Sequence, residues 1–156
     1  MKPHFLLLLL IPVCASLFGC ELPSENRPSI ENMTPGEELA VPGKEVIWVI
    51  TLNEIEKSGY QLLNDRTIES TGEFETKWQN FLSPFRYEGR RVKLLGRVED
   101  VEGRPGYSRV RMAVWVQRNA DMKDPLSPAG AIWQDMEPDT GIVETLLYRI
   151  DSHFQF

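Results

Sequence analysis

Few residues in this chain of 156 could carry reaction chemistry. Two cysteines, Cys14 and Cys20, and two histidines, His4 and His153, make up its whole stock of thiols and imidazoles. A nucleophilic thiol needs a neighbouring cation or imidazole to lower its pKa, and no histidine stands near Cys20. Carboxylates cluster at Glu99-Asp100-Glu102 and at Asp135-Glu137-Asp139. Neither group has the spacing of a calcium loop, so both read as solvated turns. The sequence has no HExxH, no GxSxG and no phosphate-cradling glycine loop. A glycosidase-type carboxylate pair stays open, because its members need only meet in space. The expectation is a non-enzymatic protein with no catalytic residue, no metal site and no cofactor.

Charge offers a different chemistry. Residues 86–118 hold nine basic and four acidic side chains, inside a chain whose formal charge is −6. If two strands alternate through this segment, Arg91, Lys93, Arg97, Arg109, Arg111 and Trp115 fall on one face. A basic face with an exposed aromatic suits an anionic oligomer, either single-stranded nucleic acid or an acidic glycan. The competing expectation is a solvated outer face whose charges keep the sheet from pairing with other chains. The acidic balance of the whole chain argues against non-specific nucleic-acid binding.

The N-terminus carries an address. Met1-Lys2-Pro3-His4 is a short positive start, Phe5 to Val13 is almost wholly apolar, and small residues follow at Ala15, Ser16 and Gly19. This is the layout of a secretory signal peptide over residues 1–19. Its apolar core is too short for a membrane span, which needs roughly 20 residues. Leu17-Phe18-Gly19-Cys20 resembles a bacterial lipobox, in which the cysteine sulfur is diacylglycerylated and the chain is cut just before it. Phe18, bulkier than the usual small residue, departs from that pattern. The resemblance implies lipidation at Cys20 and removal of Cys14, which leaves no partner for a disulfide. Cleavage also removes Lys2 and leaves 16 basic and 23 acidic residues, a formal charge of −7. Glu21 stands where an aspartate resembles an inner-membrane retention mark, which favours the outer membrane if the cell is Gram-negative.

These residues must be positioned by the elements that follow. Residues 20–43 carry prolines at 23, 28, 35 and 42 among many charges, and are expected to form a flexible tether spanning roughly 25–30 Å. A single β-rich domain is expected over 44–156. The stretch 44–52, rich in β-branched and aromatic residues, predicts a buried strand. Residues 53–69 read as irregular or helical. Ser70 and Glu73 suggest a capping box for a helix over 71–82, with Phe74, Trp78, Phe81 and Leu82 as its apolar stripe. Alternation over 90–101 and 107–117, around the turn-forming EGRPG, predicts a β-hairpin. Pairing Val101 with Tyr107 would set Glu99 against Arg109 and Arg97 against Arg111. Residues 118–140 read as a long connection with a helical turn near 129–136, and 141–156 as a last strand.

Tyr87, Gly89, Arg90, Val92, Gly96 and Val98 fit a Y-x-G-[KR]-x-V-x-x-x-G-x-V pattern. In this the segment 87–103 resembles the first hairpin arm of oligonucleotide/oligosaccharide-binding (OB) barrels. The resemblance implies a small OB-like barrel or a strongly curled antiparallel sheet with one or two short helices, a mainly β, α+β class. It implies no catalytic residue. The expected protein is therefore a cell-envelope lipoprotein, held to a membrane by acyl chains on Cys20. Its domain would face the periplasm or exterior and bind an envelope protein or polymer.

Overall fold

A computed structural model of the chain describes residues 27–41 and 43–155. The expected signal segment 1–19 and Cys20 lie outside the described residues. The class is as expected: the described residues form one antiparallel sheet of seven strands with two helices.

The sheet is built on the predicted hairpin. β5 (Glu88–Asp100) and β6 (Tyr107–Asn119) are 13 residues each. Glu99 pairs with Arg109 and Arg97 with Arg111, the register expected from the turn. Short strands line both outer edges. β3 (Glu73–Glu75) and β4 (Gln79–Ser83) pair with β5; β1 (Thr34–Pro35), β2 (Leu39–Ala40) and β7 (Trp133–Asp135) pair with β6. The two edges do not pair with each other among the described residues, so the sheet is open and the barrel alternative does not hold.

Helices α1 (Lys44–Lys57) and α2 (Thr140–Ser152) cover one face of the hairpin. Val92, Leu94, Val98, Val110, Met112, Val114 and Val116 point into this core, as the alternation requires. Both helices fall where strands were expected. In α1 the β-branched run 44–52 suggests a strand, but Ile47, Trp48, Thr51, Glu54 and Ile55 are buried at helical spacing. The helical period emerges only when residues up to 57 are counted, and Val46 and Val49 stay exposed on the far side. In α2 the signal was present: Val143, Leu146, Leu147 and Ile150 form a helical stripe.

The helix expected over 71–82 is replaced by β3 and β4. Gly72 adopts φ +73°, and its Cα lies so close to the Val98 carbonyl that a side chain has no room there. The chain turns at this point and feeds β3. Phe74 then lies on the helix-covered face, over Gly96, where an added Cβ would meet its ring. Gly96 therefore makes room for a packed ring; it does not mark a barrel bend. The expected stripe disperses: Trp78 reaches the other face of the sheet, while Phe81 and Leu82 stand exposed on edge strand β4. The helical turn expected near 129–136 is β7. In 53–69, α1 continues to Lys57 and a 3-10 turn covers Asn64–Arg66.

Residues 27–41, expected within the tether, are drawn into the domain. A 3-10 turn at Ile30–Asn32 leads into β1 and β2 along the β6 edge. Met33 buries itself on Leu95 and Ala113 with Ile30 and Trp115 alongside. Few apolar residues suffice, because the strap borrows a ready-made apolar patch on the hairpin. No helix among the described residues is long and apolar enough to cross a membrane.

Candidate functional site

The face of the hairpin turned away from the helices holds all six residues expected to bind a ligand. It divides into two halves. Near the turn, every expected cation has a carboxylate. Arg97 meets Glu73 at 2.7 Å, while Arg109 and Arg111 share one oxygen of Glu99 at 2.8 and 2.7 Å. The apparent repulsion between Arg97 and Arg111 is relieved because Glu73 takes one guanidinium and Glu99 the other. Burial pushes the Glu99 carboxyl up, but hydrogen bonds and charge from Arg111 and Arg109 outweigh it and hold its pKa below the ordinary value. Glu38 from the strap adds pairs to Arg104 and, at 3.8 Å, to Arg109.

Toward the open end the arrangement changes. Lys93 is buried, and its Nζ meets Glu75 Oε1 at 2.6 Å. Arg27 of the strap donates to the other oxygen of Glu75 at 2.7 Å. The Arg91 guanidinium lies between two indoles, 4.2 Å from the Trp78 ring centre and 4.5 Å from that of Trp133. Its Nε also donates to Gln117 Oε1 at 2.7 Å. Trp78 and Trp115 meet at 5.0 Å, tilted by 57°. Trp115 Nε1 and Gln117 Nε2 both donate to Asp135 Oδ1 at 2.7 Å.

The structure thus gathers Arg91, Lys93 and Trp115 into one cluster and leaves Arg97, Arg109 and Arg111 in a separate ion-paired group. The sequence reading missed Arg27, Glu75, Trp78, Trp133 and Asp135. They come from four further segments, and no local spacing links them.

Beside this cluster lies a cleft of about 620 Å³, within the range of small-ligand sites. Its walls include Arg27, Asn32 and Thr34 of the strap, Trp115 of β6, and Asp135 and Pro138 of the segment leading to α2. Among the described residues no group of histidine, cysteine and carboxylate side chains is placed to hold a metal ion. His153, at the end of α2, rests 3.2 Å from Glu54 on the helix side of the molecule, away from the cleft.

The chain matches no known protein family, and no curated protein is significantly similar to it in sequence.

Proposed function

We propose that this chain is a cell-envelope lipoprotein, anchored by acyl chains on Cys20, whose domain binds an envelope polymer or protein without catalysing a reaction. One observation carries the binding reading. The cleft beside Trp115 is walled by residues from the strap, the hairpin and the segment before α2, with aromatic, apolar and polar groups converging on it. The ion pairing of Arg97, Arg109, Arg111 and Lys93 weighs against an anionic oligomer held by free cations, since such a ligand would have to displace carboxylates from every one of them. The address rests on the lipobox resemblance at Leu17–Cys20.

A photo-crosslinking residue placed at Asn32, on the rim of the cleft, tests the binding surface in intact cells. It should capture an envelope component that the same residue placed at Met122, exposed elsewhere, does not. Equal capture from both positions, or none from Asn32, would overturn the cleft as the binding surface. Replacement of Cys20 by Ala should abolish lipid addition, seen by mass, and release the protein from the membrane fraction. Unchanged membrane attachment would overturn the anchor.

A further inference from the structure

Among the described residues, one peptide group lining the cleft has no hydrogen-bond partner. Leu94 of β5 uses both its backbone groups on Thr76: its N–H donates to Thr76 Oγ1 at 2.9 Å and its C=O accepts from the Thr76 N–H at 2.9 Å. The residue opposite it on β6, Val114, therefore makes no hydrogen bond to β5. Its N–H and C=O point to the other edge, as strand alternation demands. Neighbours two and four residues away show the same direction: the Val116 carbonyl accepts from the Met136 N–H at 2.9 Å, and the Val110 carbonyl from the Gly36 N–H at 2.7 Å.

No strand among the described residues meets Val114 there. β1 ends its pairing at Met112 and β7 at Gln117. Continuing the β1 register would bring Asn32 opposite Val114, but Asn32 belongs to a 3-10 turn. Continuing the β7 register would bring Pro138, which has no N–H to offer. No described residue outside the ladder hydrogen-bonds to Val114. Asn32, Val114 and Pro138 all line the cleft. A peptide group left bare beneath the surface is rare, because an unpaired buried donor or acceptor carries a desolvation cost.

We infer that the cleft binds an N-acetylated hexosamine of a glycan, with its acetamido group hydrogen-bonded to the Val114 N–H and C=O and its pyranose ring against Trp115. This rests on the reading of the cleft as the binding surface. A secondary amide supplies one acceptor and one donor, the complement of what Val114 presents. The free edge spans only Ala113–Trp115, about 10 Å, and is closed at both ends by β1 and β7. That length accepts one isolated amide. An added peptide strand needs a run of consecutive free peptide groups, which β1 and β7 already occupy. Asn32, Thr34 and Thr140 on the walls supply polar groups for ring hydroxyls.

The test uses the full chain in detergent, titrated with three probes: N,N′-diacetylchitobiose, cellobiose and N-acetyl-trialanine amide. Cellobiose keeps the linked pyranose rings and lacks the acetamido group; the peptide keeps amides and lacks the ring. Diacetylchitobiose should bind at least about tenfold more tightly than cellobiose, the effect of one or two buried hydrogen bonds. It should also move the Val114 amide resonance in a 15N-labelled sample. Trp115→Ala should weaken it by about tenfold or more. That variant also removes a hydrogen bond to Asp135, so the wild-type comparison of probes carries the test by itself. Equal binding of diacetylchitobiose and cellobiose would overturn the role of Val114. A response to the peptide alone would overturn the sugar and keep the cleft as the binding surface. No response to any probe, alongside capture by the crosslinker at Asn32, would overturn the sugar assignment without touching the reading beneath it.

Discussion

The two faces of the β5–β6 hairpin solve the burial problem in opposite ways. One face is apolar and lies under two helices, held by burial of Leu94, Val98, Val110 and Met112, which are all but inaccessible. The other is polar and lies under a short strap, held by charge pairs and indoles around a small apolar patch at Met33, Leu95 and Ala113. Burial on the first face is non-directional, so it tolerates exchange of similar side chains. On the second face each partner depends on a specific other. The cleft opens at the β6 edge, where the two faces meet: directional groups leave gaps where a partner is missing, and close-packed side chains do not.

The comparison breaks first at Glu75. Glu75→Ala leaves Lys93 buried and unpaired, and should cost about 3–5 kcal/mol. The double replacement Glu75→Leu with Lys93→Met should recover most of that loss in urea unfolding. A single-site cost below about 1 kcal/mol would mean that the polar face behaves as a solvated surface. On the helix face, Leu94→Ala should cost about 3 kcal/mol with no partner able to rescue it. Gly96→Ala should cost about 2 kcal/mol, because the new methyl meets both Phe74 and the Arg111 carbonyl. Thermal midpoints with Phe74→Leu in the same chain would show partial relief.

Titration sharpens the same contrast with opposite signs. Asp151, at the end of α2, is pushed up by burial and by the charge of Glu37, against one hydrogen bond from the Glu37 N–H that lowers it. A carboxyl whose folded pKa is raised disfavours the fold once ionised, and that burden lifts as pH falls through its folded pKa. Asp151→Asn should therefore stabilise at neutral pH, with the gain vanishing in acid. Glu99 is lowered, so the stability it supplies is present above its unfolded pKa and is lost as pH falls toward its folded one. Glu99→Gln should destabilise at neutral pH, with the loss vanishing in acid. Thermal midpoints of both variants from about pH 7 to pH 3 should converge on the parent chain from opposite sides; convergence from the same side would refute the contrast. The smallest effect is expected at Arg97→Ala. Its pair with Glu73 is about one-third exposed on each side, and its removal should cost about 0.5 kcal/mol.

Legibility followed the range of the forces. The hairpin was readable down to its register, because a two-residue alternation and a short turn are local signals. Helix α2 was readable from the spacing of Val143, Leu146, Leu147 and Ile150, a period that the strand expected over 141–156 passed over. Helix α1 and strands β3 and β4 were not readable from their own segments. Helical burial of Ile47 and Ile55 depends on the sheet they cover, and Phe74 needs the gap at Gly96, 22 residues away in the sequence.

The sequence alone determined an antiparallel hairpin with one apolar and one charged face, and a mainly β domain around it. It also set the expectation of an N-terminal lipid address at Cys20. The tertiary structure decided that the charged face is neutralised in place, that residues 27–41 belong to the domain, and that a cleft opens where Val114 lacks a strand. The reason is physical: alternation and turns act over a few residues, whereas the partners of Lys93 and Arg91, and the gap beside Val114, depend on segments that meet only once the chain has folded.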